Sequence, residues 1–228
     1  MLPDFIELSK LSEQARENVK QISTAFTKNE LGKVRIAVCS DIYTYLKMNW
    51  IVEMSGRSYK QWESVTRNEN GYEKLQRLRR TVVQLKSRFG MAWDYKGFER
   101  QVASDEVAEL LVLISEEAIS RAPAGQTEQI RSISDEVIQG IFESEIIDTE
   151  GRALKVEGGL PSGLYLTSIA GDGYNKTFVE YVQKCLPLLG FSPFSPDEIN
   201  IQGDDTSMLS TSVAKLQVDC LIVTGKHF

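Results

Sequence analysis

The sequence predicts an α+β fold in which a small antiparallel sheet is backed by helices, and three stretches carry that prediction. INIQGDDTSML, residues 199–209, places β-forming residues on both sides of Gly203-Asp204-Asp205 and reads as a hairpin with two acids at its tip. FGMAWDY, residues 89–95, is a short apolar run ending in an acid, Asp94, and reads as a buried strand of the same sheet. SDEVAELLVLISEEAISR (104–121) and YLTSIAGDGYNKTFVEYVQKCLPLL (165–189) have the apolar spacing of long helices that can back such a sheet.

The bulk numbers bound the class. With 228 residues, 42% hydrophobic and 25% charged, the chain has a globular composition and enough length for one domain or two small ones. No apolar run is long enough to cross a membrane, and the N-terminal stretch has early acids and no signal-type apolar core. Cys39, Cys185 and Cys220 are few, odd in number and widely spaced, which suits reduced thiols. The single histidine, His227, argues against a histidine-based dyad or metal site. Charge is uneven. Residues 1–90 carry 16 basic side chains against 10 acidic, and residues 91–228 carry 10 against 22. A basic front and an acidic rear suit a polyanion and metal ions respectively, or ordinary surface variation.

In chain order, residues 8–28 show helical spacing with few breakers and predict a helix. Val34 to Cys39 reads as a strand, on which Lys33 and Arg35, two apart, share one face and suit a triphosphate, or make a charged strand edge. Residues 41–54 predict an amphipathic helix capped by Ser40 or Asp41. Residues 72–88 set Lys74, Arg77, Arg79, Arg80, Lys86 and Arg88 among helically spaced Leu and Val; this is a solvated helix or a surface that tracks a nucleic-acid backbone. Helix 104–121 has Ser104 as its N-cap, Asp105 and Glu106 in its first turn, and Pro123 and Gly125 at its end. Residues 126–147 predict a further helical stretch. EGGLPSG (157–163) is a Gly-rich loop before helix 165–189, and 211–221 predicts a helix before a short strand in IVTGKHF.

Three features then line up: the strand-end acid Asp94, a Ser162-Gly163 loop leading to Thr167, and the acids Asp204 and Asp205. Carboxylates from separate strands can bracket two divalent cations for phosphoryl transfer, and Mg²⁺ takes a few carboxylates plus phosphate oxygens.

On these residues the chain resembles viral RNA-dependent RNA polymerases. WDYKGFERQ is similar to motif A, PSGLYLTS to motif B, IQGDDT to motif C and LGKVRIAV to the basic motif F, and TGKHF fits motif D; the order along the chain is also the family's. Within the family, the GKxR segment, the DYxxF motif and the Ser-Gly-x-x-x-Thr-Ser loop resemble the totivirus-like group of double-stranded RNA viruses. The resemblance implies a palm with a small antiparallel sheet and partial helical fingers. It implies a partial fingers region over 1–88, with motif F at 31–38. The palm follows over 89–228, with motifs A (91–101), B (158–175) and C (199–209) and the start of D (211–228).

The resemblance also implies roles. Asp94 and Asp204 would hold two Mg²⁺ ions, with Asp205 assisting and Mn²⁺ able to substitute. Lys33 and Arg35 would neutralise the incoming triphosphate. Ser162, Gly163 and Thr167 would contact template or ribose. Lys226 would stand near the leaving pyrophosphate as a general acid. Two positions depart from the family pattern, and both belong to sugar selection. Glu99 replaces a shorter Asp or Asn, and Gly171 replaces an Asn, with Asp172 next and Asn175 one turn on; Glu99 and Asn175 would then contact the nucleotide. The implied partners are RNA template and product, ribonucleoside triphosphates and a viral capsid protein, with no membrane; the implied location is the host cytoplasm, inside the virion. The implied enzyme is a fragment of a longer RNA-directed RNA polymerase. The alternatives are a catalytically silent polymerase-like domain, which Glu99 and Gly171 favour, and a reverse transcriptase, whose tip carries Tyr where Gln202-Gly203 stands here.

Overall fold

The computed structural model of the chain describes residues 21–30, 33–93, 95, 101–159 and 163–225. The described strands and helices, in order, are β1 (Ile22–Glu30), β2 (Lys33–Ser40), α1 (Ile42–Met54), α2 (Gly71–Gln84), β3 (Phe89–Trp93), α3 (Ser104–Arg121), α4 (Thr127–Phe142), β4 (Glu145–Ile147), β5 (Ala153–Lys155), α5 (Thr167–Cys185), β6 (Ile199–Gln202), β7 (Asp205–Ser210) and α6 (Val213–Gly225). Contacts divide the chain into two compact units, one of Met1–Ser58 with Gly97–Thr167, the other of Tyr59–Lys96 with Ser168–Phe228.

The first unit pairs a four-stranded sheet, ordered β2-β1-β4-β5, with helices α1, α3 and α4. β1 and β2 form an antiparallel hairpin, and β4 joins β1 in parallel. β1 replaces the end of the helix expected over 8–28. Ile22, Thr24 and Phe26 alternate along it, and the long hairpin ladder with β2 outweighs an i,i+4 spacing that mimics a helix. The rest of that expected helix, up to residue 20, falls outside the described residues. α1 begins where Asp41 accepts from Thr44 N–H at 2.8 Å and from the Thr44 hydroxyl at 2.7 Å, a cap that satisfies an otherwise orphaned helix donor. Met48, Ile51, Leu111, Ile114, Ile130 and Val137 are buried where α1, α3 and α4 meet. Each such side chain contributes about 1.5–3 kcal/mol. A hydroxyl bond from Ser134 to Ser115, 2.8 Å, and the Lys47–Glu136 ion pair, 2.9 Å, tie the same helices.

α3, expected behind the hairpin sheet, belongs to the first unit, where it packs on α1 and α4, whereas that sheet belongs to the second unit. Its apolar stripe says how much must be buried, not against what. Its cap is also one residue earlier than expected: Glu106 accepts from Ala103 N–H at 2.8 Å.

The second unit holds a three-stranded antiparallel sheet ordered β3-β7-β6. Residues 64–66 extend it beyond β6, with Thr66 N–H donating to Ile201 O at 2.8 Å and Ile201 N–H to Ser64 O at 2.9 Å. Side chains alternate across β6 and β7. Ile199, Ile201, Thr206 and Met208 are buried, while Gln202 and Asp205 are exposed on the other face. α5 packs on the buried face, where Phe178 meets Trp93 edge-on at 6.3 Å. β3 is more open than a buried strand, with only Trp93 buried at its end. The short strand expected in IVTG is instead the last turn of α6, where Val223 is buried.

Candidate active site

Hairpin β6–β7 closes with the pair Gln202–Asp205, leaving Gly203 and Asp204 as its two-residue loop. Gly203 has φ +63°, and Asp204 is not in the left-handed region. Glycine at the first loop position is the pattern of a type II′ turn, whose twist matches that of the strands. The turn presents Asp204 half-buried and Asp205 exposed. On the open face of the sheet beside Asp205 is a cavity of about 210 Å³ whose lining includes Thr66, Arg77, Asn200, Gln202 and Ser207.

The backbone of this turn is bonded to α5. Asp172, 1% exposed, accepts from Gly203 N–H at 2.5 Å with one carboxylate oxygen and from Arg67 Nε with the other. Asn175, fully buried, donates from Nδ2 to Gly203 O at 2.9 Å and to Asp205 O at 3.4 Å. Its Oδ1 accepts from the Thr206 hydroxyl at 3.0 Å and the Tyr95 hydroxyl at 3.2 Å. Burial pushes the Tyr95 phenol well above its ordinary range, and the charges of Tyr174, Asp219 and Asp204 push the same way. Asn175, expected to contact nucleotide, thus has both ends of its amide engaged within the protein.

β3 runs antiparallel to β7, and Trp93 pairs with Thr206, so the described end of β3 reaches the acidic end of the hairpin. Asp94, Glu99, Ser162 and Lys226 lie outside the described residues. Lys33 and Arg35 are positions of β2 in the first unit, and their side chains also lie outside. Gly163 and Thr167 are described in the first unit as well. A side chain at Gly163 would stand 1.6 Å from Val38 O, so the loop rests directly on the β2 backbone, and Ser40 Oγ donates to Gly163 O at 3.3 Å. Thr167 opens α5, its N–H donating to Leu164 O at 3.1 Å.

Arg67 carries no signal in the sequence, and Asp172 stands out there only as the neighbour of Gly171. The pair is 105 positions apart and leaves no local signal. Among the described residues no three His, Cys, Asp or Glu side chains gather as a metal site. Asp204 and Asp205 nevertheless supply hard oxygen donors at an accessible turn, the donor type that divalent Mg²⁺ takes.

Comparison with curated protein sequences finds no match to the chain. Residues 13–214 match the family model described as viral RNA-dependent RNA polymerase. That span takes in both units and the acidic hairpin, and the chain belongs to the viral RNA-dependent RNA polymerase family.

Proposed function

We propose that the chain is the palm and part of the fingers of an RNA-directed RNA polymerase that copies viral RNA by template-dependent ribonucleotidyl transfer. The observation that carries this reading is the hairpin whose turn presents Asp204 and Asp205 while β3, leading to Asp94, pairs with β7 beside it. In the reaction the 3′-hydroxyl of the growing strand attacks the α-phosphate of a bound ribonucleoside triphosphate. The α–β phosphoanhydride bond breaks, pyrophosphate leaves, and the hydroxyl proton is lost as the new phosphodiester forms.

Asp94, Asp204 and Asp205 would hold two Mg²⁺ ions, which when bound stabilise the attacking and leaving oxygens. Lys33 and Arg35 serve the triphosphate charge, and Lys226 serves as proton donor to the leaving pyrophosphate. Ser162, Gly163 and Thr167 line the path of template and ribose, and Glu99 stands where the family senses the sugar. Within the family the GKxR segment and the Ser-Gly-x-x-x-Thr-Ser loop favour the totivirus-like group, which sets the expected location in the host cytoplasm inside the virion. No described helix is long and apolar enough to cross a membrane.

The test is template-directed ribonucleotide incorporation by the intact polymerase with Mg²⁺ or Mn²⁺. Asp204→Asn is expected to abolish incorporation while RNA binding persists. Incorporation that survives this change rejects the assignment.

A further inference from the structure

The acids at the hairpin tip do not set their own position. Both backbone groups of Gly203 face away from the hairpin ladder, and in a simple two-residue loop they would meet water. Here α5 meets them: the N–H is taken by Asp172 and the C=O by Asn175, two residues three apart on one face of the helix. The geometry points to Asp172 and Asn175, with Arg67 behind Asp172, as positioning residues that fix the turn and so the placement of the Asp204 and Asp205 carboxylates.

Three physical points support this. Asp172 is a carboxylate with only 1% of its surface exposed. An ionised group that deep is strongly unfavourable unless charge and hydrogen bonds compensate it. Among the described residues its compensating partners are the turn N–H and the Arg67 guanidinium, so the arrangement holds only while the turn stays seated. Asn175 has a second, different grip. Its Nδ2 spans two carbonyls on either side of Asp204, those of Gly203 and Asp205. Its Oδ1 accepts from the Thr206 and Tyr95 hydroxyls, and a flipped amide would set that oxygen against two carbonyls and lose both bonds to the turn. Finally, Arg67 is 30% exposed, and its Nη2 would lie 3.9 Å from a Cβ at Gly203. A cation anchored beside the turn offsets the repulsion between two adjacent carboxylates. A neutral, apolar contact between α5 and the hairpin would give the same packing without any of this buried polarity.

This inference rests on the reading of Asp204 and Asp205 as the metal-holding pair, and the experiment separates the two. The protein is the full chain. Hydrogen exchange is followed in peptides covering 199–209, and Mn²⁺ binding is followed by electron paramagnetic resonance titration. Asp172→Ala and Asn175→Asp are expected to lose exchange protection at the turn and to weaken Mn²⁺ binding about 10- to 100-fold, the usual range for residues that orient metal ligands. Asp172→Asn, which keeps an acceptor for Gly203 N–H but loses the charge toward Arg67, is expected to recover part of both losses. Val182→Ala, a fully buried α5 residue outside this network, is the stability control.

If Val182→Ala weakens Mn²⁺ as much as Asp172→Ala does, the effect is general destabilisation and the positioning role is overturned. Unchanged exchange at 199–209 in Asp172→Ala overturns it directly, as does lost protection with full Mn²⁺ affinity. Should wild-type Mn²⁺ binding be indifferent to Asp204→Asn, the metal reading falls and the positioning role with it, whereas the exchange data still show separately whether α5 clamps the turn.

Discussion

Trp93 stands opposite Thr206 in the β3–β7 ladder, two residues beyond Asp204 on one strand and immediately before Asp94 on the other. The pairing carries the described end of β3 to the acidic end of the hairpin, which the proposed site requires of acids 110 positions apart in sequence.

If Asp94 and Asp204 hold the same cations, their contributions cannot be independent. Groups that act as a unit are strongly non-additive, because once one is lost the other has little left to do. Asp94→Asn and Asp204→Asn are each expected to reduce nucleotide incorporation by about 10³-fold or more, and the double variant to be worse than either by less than about tenfold. The check is single-turnover incorporation on the full polymerase. Losses that multiply in the double variant would mean that the two carboxylates work apart.

Gly163 and Gly203 are both glycines for structural reasons, but different ones, and Ala at each tells them apart. At Gly203 there is room for a Cβ, the nearest atom being Arg67 Nη2 at 3.9 Å, but φ is +63°. The expected cost is backbone strain of about 1–2 kcal/mol, which for a chain this size lowers the melting temperature by a few degrees, about 2–4 °C per kcal/mol. At Gly163 the obstacle is the Val38 carbonyl, 1.6 Å from a Cβ, so the loop must leave β2. Gly163→Ala is therefore expected to be the more destabilising of the two by thermal melting. It should also raise exchange in β2, while Gly203→Ala leaves β2 untouched. Equal melting losses, or exchange in β2 unchanged by Gly163→Ala, would contradict the close approach.

What the sequence showed well were features written locally. The hairpin, its acidic tip and α3 each lie within one stretch whose period and turn residues agree. What it hid were partners. Ile22 to Glu30 has helix-like spacing, and only the ladder to β2 makes it a strand. α3 was legible as a helix, yet its packing against α1 and α4 follows from tertiary fit that no amphipathic pattern encodes. The Arg67–Asp172 pair joins a polar loop to the middle of α5, and neither residue type is distinctive there. Asn175 stands out in the sequence by its distance from Thr167, whereas its fourfold bonding to the hairpin and Tyr95 depends on β7 lying beneath α5. Adjacent acids at a turn are visible in the sequence; the side chains bonded to the turn's backbone are not.

Asp219 on α6 sets a pH dependence that can be measured without RNA. It is fully buried, and among the described residues neither carboxylate oxygen has a hydrogen-bond partner. Burial pushes its pKa up from 3.8 to about 7. The Trp93 N–H and Lys215 favour the charged form, but the indole N–H falls short of a geometric hydrogen bond and does not offset the burial. Below about pH 4 the group is protonated in both folded and unfolded chains, and its stabilising contribution is fully present. Between about 4 and about 7 only the unfolded chain ionises, so unfolding releases a proton and stability falls as pH rises. Above about 7 both states are ionised and the loss is complete, on the order of 4 kcal/mol for a shift of this size. Asp219→Asn keeps the shape and removes the charge. Denaturant melts across this range are expected to show the variant gaining on the wild type as pH rises, with the largest advantage near about pH 8 and little difference near about pH 4. Parallel stability curves for the two proteins would show that the Asp219 carboxyl ionises in the folded chain as freely as in the unfolded one.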